Sequence, residues 1–329
     1  MENKFKSLMA SFSKIDFGRV HLSKNHSKFY NELNEEIILL CRSLPASTQT
    51  DALLLFVQPT GKTFCEKIDF FRDYYVPSWS ILYWLIQLSS ADKGLTPADI
   101  KNAKTAHSMA MLLHAVDDHL NDGDVSINHL ALLLRSQSWL IMNKALSDLA
   151  QKVDGGEKIV QKLLDDYYSG ITSSEEIYSL DSYCSLFRKQ MSTALIVPVL
   201  LTQKMSTDNQ FTDAVKSIYC AFGTAWRLLD DIKDVEADMI KSAHSSIYVC
   251  LSEDGKKSWD RVAGSENAGN IHPTKAVWCC IAENGVIDKI KARICSELTT
   301  AARIAGLLEM PALANEFLDL LRPLNIDRV

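Results

Sequence analysis

Glycine and proline are too sparse in this chain to break up anything but long helices: there are 13 and 8 of them among 329 residues. Apolar residues recur at three- and four-residue spacings nearly everywhere, and alternating strand-like runs are rare. A helix satisfies its backbone hydrogen bonds internally, so a chain patterned this way is expected to fold as an all-α protein. Apolar residues make up 47% of it, enough for a large core. No repeat of fixed period and no low-complexity segment occurs. One domain over residues 1–329 is therefore the simplest organisation, and the polar stretch Ala263 to Pro273 is the one candidate linker of any length.

Helix boundaries can be read in several places. Thr96-Pro97-Ala98-Asp99 offers an N-cap, a proline at the first helical position and an acid in the first turn. The helix should run to about Asn121, with Gly123 as its stop. Further helices are expected from near Ile127 to about Val153, from Glu157 to Tyr168, from after Ser174-Glu175-Glu176 through Leu201, from Thr212 to about Met239, and from about Thr274 onward.

Other classes are set aside by charge and composition. The net charge is -6 with no long basic run, which argues against nucleic acid as a partner. The eight cysteines are scattered without a CxxC and read as reduced thiols of a cytoplasmic protein. The opening MENKFKSLMASFSKIDFGRV lacks an uninterrupted apolar core, so no secretory signal is expected there. No apolar run is long enough to suggest a transmembrane helix.

Two acidic constellations carry the chemistry. The first lies at the end of the helix begun at Thr96 and includes Asp117, Asp118, Asp122 and Asp124. Asp118 and Asp122 are four apart and share a face. Acids at a helix C-terminus oppose its dipole, and like charges four apart repel, so the arrangement calls for a cation. An oxygen-only set without cysteine suits Mg2+. The second constellation runs from Arg227 to Asp238. Asp230, Asp234 and Asp238 fall at i, i+4 and i+8, and Asp231 stands beside them. The preceding turns (Ala221, Phe222, Ala225, Trp226, Leu228, Leu229) are apolar. A single motif of this kind is most often a solvated helix face. Two of them, each capping a mainly apolar helix and separated by roughly 110 residues, form a better case for shared metal ions that clamp a diphosphate.

With those motifs the chain resembles the trans-isoprenyl diphosphate synthases and the class I terpene synthases built on the same fold. Asp117-Asp118-xxx-Asp122 looks like the family's first aspartate-rich motif, and Asp230 to Asp238 matches its second, DDxxDxxxD. The likeness is best between about residues 97 and 251. It implies an isoprenoid synthase barrel of helices around an apolar pocket, a cluster of three Mg2+ ions, a prenyl diphosphate substrate and a homodimer. It also implies Asp117, Asp118, Asp122, Asp230, Asp231, Asp234 and Asp238 as metal ligands, with Asp117, Asp118, Asp230 and Asp231 central to catalysis.

The departures concern the second diphosphate. Chain-elongating members carry Gly-Gly-Lys-x-x-Arg before the first motif, where this chain has Gly61-Lys62-Thr63-Phe64 and later Phe71-Arg72-Asp73. Their paired arginines after the first motif are missing, since no arginine precedes Arg135. Their Lys-Thr pair is replaced around Arg188 to Thr193, their Phe-Gln by Trp226-Arg227, and their Gly-Lys-x-Thr by Ala243-His244-Ser245-Ser246. Ionisation of one allylic diphosphate, with cyclisation or water capture, is the expected activity. The alternatives are condensation with isopentenyl diphosphate and a non-catalytic subunit of a prenyltransferase. Arg188, Lys189, Arg227, Lys233 and His244 are the candidate diphosphate donors, although Arg227 can equally pair with Asp231. Ala110, Leu113 and His114, before the first motif, and Phe222 and Trp226, before the second, are the candidate pocket wall. The small Ala110 points to a long prenyl chain.

Overall fold

The computed structural model describes residues 23–57, 79–89, 94–121, 127–173, 177–206, 208–263, 271–322 and 324. Among the described residues there are fifteen helices and no strand, as the periodicity requires. In chain order they are α1 Lys24–Ser43, α2 Ala46–Val57, α3 Trp79–Leu88, α4 Pro97–Asn121, α5 His129–Ala150, α6 Gly156–Ile171, α7 Leu180–Gln190 and α8 Ser192–Met205. There follow α9 Asn209–Lys233, α10 Val235–Lys241, α11 Ser246–Cys250, α12 Glu253–Ala263, α13 Ile271–Glu283, α14 Val286–Leu307 and α15 Pro311–Leu321. No helix among the described residues is long and apolar enough to cross a membrane.

These helices form two compact units. The first is built from Gly18–Tyr168 and Met191–Tyr219, and the second from Ser169–Gln190 and Cys220–Val329. Helices α6 and α9 contribute residues to both. In the first unit α4 packs against α5, α1 and α8, and α8 also meets α3 and α5. Every residue of α8 from Ser192 to Thr202 is buried, which is the fate of a helix apolar or small on all sides. In the second unit α14 pairs with α15 and α12 with α13, while α11 touches α7, α12 and α14. The Phe222 and Phe317 rings meet edge to face at 5.2 Å in this unit, and Trp259 is fully buried there.

The start of α4 is built as its sequence demands. The Asp99 N–H donates to Thr96 Oγ1 (3.2 Å), while the Thr96 N–H and hydroxyl donate to Asp99 Oδ2 (2.8 and 2.7 Å). Asp99 is wholly buried and is also paired with Lys152 (2.8 Å) and Lys204 (2.6 Å). Burial alone would raise its carboxyl, but the two ammonium groups and Thr96 outweigh that and hold it well below the ordinary carboxylate range.

Three expected helices differ in detail. The one expected to run through Leu201 is split into α7 and α8 at Met191, which adopts φ -98°, ψ 14°. Nothing local marks that break, but a Cβ placed on Gly170 of α6 would lie 2.9 Å from the Gln190 backbone nitrogen. Close approach of α6 therefore accompanies the break. The helix expected from Thr212 to Met239 is interrupted at Asp234 (φ -96°, ψ 8°) and resumes as α10. The Asp234 N–H still donates to the Asp230 carbonyl, and the Asp238 N–H to the Asp234 carbonyl, so the i, i+4 rhythm survives the bend. The helix after the expected linker begins at Ile271 and takes Pro273 into its first turn, where a missing N–H costs no hydrogen bond. Residues 264–270, Gly123, Asp124, the Gly61-Lys62 segment and Phe71-Arg72-Asp73 lie outside the described residues.

Candidate functional site

The first acidic segment sits on the last turns of α4. Asp117 is buried there and held from two other helices. The Arg135 guanidinium of α5 grips it with both arms, Nε donating to Oδ1 and Nη2 to Oδ2 (2.9 Å). The Tyr167 hydroxyl of α6 donates to Oδ2 at 2.9 Å. The hydrogen bond to Asp117 holds the Arg135 guanidinium well above its ordinary value, and burial, then the Asp117 charge, push the Tyr167 phenol up. Ala110 and Leu113, earlier on α4, are buried, and His114 is half-buried. The side chain of Asp118, and Asp122 altogether, lie outside the described residues.

The second acidic segment spans the end of α9 and α10. Asp231 is almost fully buried, with both carboxylate oxygens engaged. Oδ1 accepts from the Tyr183 hydroxyl of α7 (3.0 Å), and Oδ2 accepts from the Ser246 backbone N–H at the start of α11 (3.0 Å). Arg227, one turn earlier on α9, lies 3.0 Å from Oδ1 and donates its Nε–H to the Tyr183 oxygen at 2.9 Å. Of the two roles open to Arg227 in the sequence, the pairing with Asp231 is the one observed.

The neighbouring acids are held far less. Among the described residues Asp230 pairs with no cation closer than Arg227 Nη1, 3.9 Å away. Burial raises its carboxyl to about 7, and the charges of Asp234 and Asp231 push the same way against Arg227. Burial raises Asp238 to about 6, with Asp231 adding to it and Ser245 opposing, and its Oδ2 is buried without a hydrogen-bond partner. Asp234 is raised for the same first reason. Stranded carboxylates on one stretch of helix, one with an orphaned buried oxygen, are the donor chemistry a hard divalent cation uses. Among the described residues no three His, Cys, Asp or Glu side chains form a ready-made cage. Mg2+ does not require one, because it binds through one or two carboxylates and completes its shell with water and substrate phosphate oxygens. The residues present fit Mg2+ in that sense.

Three of the five expected diphosphate donors are committed within the second unit. Arg188 donates Nε–H to Thr224 (3.1 Å) and Nη2–H to the buried Glu297 (2.8 Å), which also accepts from Arg293 (2.7 Å). Arg227 is taken up as described. His244 stacks on Tyr248 with ring centroids 3.9 Å apart and lies 4.0 Å from Asp260. Lys189 and Lys233 are exposed. Of the expected pocket residues in this unit, Phe222 is buried against Phe317, and Trp226 is half-buried.

Sequence reasoning missed Tyr167, Tyr183 and Glu297, whose partners lie 50, 48 and 109 residues away, so no local spacing announces them, and it met Ser246 only as the end of Ala243-His244-Ser245-Ser246. Arg135 was visible only as the first arginine after the first motif.

Comparison with solved structures finds the same architecture in three prenyl synthases. A geranylgeranyl pyrophosphate synthase from Lactobacillus brevis aligns over 89% of this chain and 95% of its own, at 14% identity and a TM-score of 0.63. A geranylgeranyl pyrophosphate synthetase from Pyrococcus horikoshii aligns over 96% and 99%, at 13% identity and 0.61. A polyprenyl synthase from Roseobacter denitrificans aligns over 93% and 99%, at 13% identity and 0.52. No protein-family model matches the chain, and no curated protein does either. The chain thus shares the all-α fold of these three prenyl synthases.

Proposed function

We propose that the chain is a cytoplasmic, Mg2+-dependent isoprenoid synthase that ionises one allylic prenyl diphosphate, of farnesyl length or longer, and releases diphosphate. The allylic C–O bond breaks heterolytically, the electron pair leaves with the diphosphate, and the carbocation cyclises with proton loss or captures water. One observation carries this reading: Arg188 and Arg227 are spent on Glu297 and Asp231, while among the described residues Asp230, Asp234 and Asp238 have no ion pair closer than 3.9 Å. That balance suits one diphosphate bound through metal ions better than two diphosphates bound through basic side chains.

Bound Mg2+ would supply Lewis-acid neutralisation of the departing diphosphate. In this reading Asp117, Asp118 and Asp122 of the first segment and Asp230, Asp231, Asp234 and Asp238 of the second serve metal binding, directly or by holding a neighbour. Lys189 and Lys233 are the donors still available to the leaving group. Leu113 and His114 belong to the apolar wall beside the first segment, where Ala110 leaves room for a long chain, and Trp226 stands beside the second segment. A homodimer is the expected assembly.

A second reading, condensation of an allylic diphosphate with isopentenyl diphosphate, is favoured by the names of the three structures of like fold. The deciding experiment is incubation of the chain alone with Mg2+ and geranyl, farnesyl or geranylgeranyl diphosphate, each with and without isopentenyl diphosphate. Hydrocarbon or alcohol from an allylic substrate alone is the expected result. Longer diphosphates formed only when both are present would replace it with chain elongation, and no turnover by the chain alone would favour the non-catalytic subunit.

A further inference from the structure

We infer that Tyr183 is a positioning residue for the second acidic segment: its hydroxyl joins Arg227 to Asp231 and so fixes the helix end that presents Asp230 and Asp234 to a divalent cation. The inference rests on the metal-dependent reading proposed above.

The geometry around the phenol is specific. Arg227 Nε bears a single hydrogen, and that hydrogen points at the Tyr183 oxygen, 2.9 Å away. The 3.0 Å approach of the same nitrogen to Asp231 Oδ1 is therefore a charge contact rather than a second hydrogen bond. Tyr183 passes its own proton toward Asp231 Oδ1 at 3.0 Å. The phenol thus accepts on one side and donates on the other, in a buried position. The remaining carboxylate oxygen is taken by the Ser246 backbone N–H. With both oxygens used, Asp231 is an anchor, and the cation is left to Asp230 and Asp234, for which no such hydrogen bond is found among the described residues. Deleting the hydroxyl frees Arg227 to rotate onto Asp231 directly and loosens the turn that carries Asp230. Groups behind the ligands that fix their orientation typically matter about 10- to 100-fold in metal affinity or activity.

The test titrates MgCl2 into the full-length protein in the presence of inorganic pyrophosphate, by calorimetry, for wild type and Tyr183→Phe. The variant is expected to bind Mg2+ about 10- to 100-fold more weakly. At limiting Mg2+ its KM for the allylic diphosphate should rise, and raising Mg2+ should restore it, the pattern of a group that acts through the metal-binding carboxylates. Tyr219→Phe removes another buried tyrosine hydroxyl, 3.4 Å from His107 in the first unit, and should leave Mg2+ binding as in wild type. Ser246→Pro is the second variant. Ser246 is the first residue of α11, and Ser245 before it is extended (φ -70°, ψ 177°), so the backbone suits proline, which deletes the N–H that holds Oδ2 together with the buried Ser246 hydroxyl. It too should weaken Mg2+ binding, and it answers the question should Tyr183→Phe not fold. Wild-type Mg2+ affinity in a folded Tyr183→Phe or Ser246→Pro protein would overturn the positioning role alone. Absence of Mg2+ binding in wild type would overturn that role together with the metal-dependent reading.

Discussion

Asp117 and Asp231 are each held by an arginine and a tyrosine, yet the two clamps are made differently. Asp117 is gripped only by side chains, a two-armed Arg135 from α5 and Tyr167 from α6. Asp231 draws on its own helix through Arg227, on α7 through Tyr183, and on main chain through the Ser246 N–H. Its exposure is 2% against 9% for Asp117. The first clamp is a tertiary contact that single side-chain changes can dismantle. The second is partly written into the helix ends, and its loss disturbs secondary structure as well.

The largest effect should follow removal of the deeper anchor. Asp231→Ala leaves Tyr183 and the Ser246 N–H without their acceptor and Arg227 without its counter-charge, and should cost about 3 kcal/mol of unfolding free energy. Asp117→Ala removes a less deeply buried carboxylate that has no main-chain donor, and should cost about 2 kcal/mol. Urea unfolding of the two variants beside wild type measures both. Equal losses would mean that the backbone bond to Asp231 adds nothing.

Next in size is an effect at the other end of α4. Asp99 is a buried aspartate like Asp117 but is held by two lysines. Its carboxyl lies below the ordinary value in the fold, so its contribution is present above the unfolded value near pH 4 and is lost as the pH falls further. A drop in stability on the order of 2 kcal/mol is expected on acidification from pH 5 to pH 2, and a smaller one in Asp99→Asn. Thermal melts across that range read it. An identical acid profile in the variant would remove Asp99 from the account.

These two aspartates also show what the sequence could and could not reveal. The Thr96-Pro97-Ala98-Asp99 cap was legible because capping is local, with donor and acceptor three residues apart. The acidic ends of α4 and α9 were legible because like charges at helical spacing are costly without a cation. Lys152, Lys204, Tyr167 and Tyr183 were not, since each meets its aspartate across a gap of 48 residues or more and looks like ordinary helix surface or core. The breaks at Met191 and Asp234 were hidden for a related reason. Neither carries a glycine or proline, and at Met191 the accompanying contact comes from Gly170 of another helix.

A smaller effect separates the two arginines. Arg135 uses its planar fork on both oxygens of Asp117, which an ammonium cannot copy, so Arg135→Lys should cost about 1 kcal/mol. Arg227 makes one directional bond and sits four residues before Asp231, a distance a lysine spans along a helix, so Arg227→Lys should cost less. A costlier Arg227→Lys in urea unfolding would mean that the second clamp depends on the fork after all.

The smallest effect has the opposite sign and tests the division between anchored and stranded acids most sharply. Burial and the neighbouring charges of Asp234 and Asp231 disfavour ionised Asp230, whose carboxyl titrates at about 7 in the fold against an ordinary value near 4. A group raised in this way favours the folded state while protonated, and that contribution is lost as the pH climbs through 7. At pH 8 and without Mg2+, Asp230→Asn removes a charge that the fold resists, at nearly constant shape. With a side chain 36% exposed, solvent screening limits the gain, and stabilisation of about 0.5 kcal/mol is expected. At pH 5 the gain should shrink, and below pH 4, where Asp230 is protonated in the folded and unfolded states alike, it should vanish. Mg2+ with pyrophosphate should reverse the order at pH 8 by stabilising wild type alone. Destabilisation by Asp230→Asn in the metal-free protein at pH 8 would make Asp230 an anchor like its neighbour, and the cation-binding role would then fall to Asp234 and Asp238.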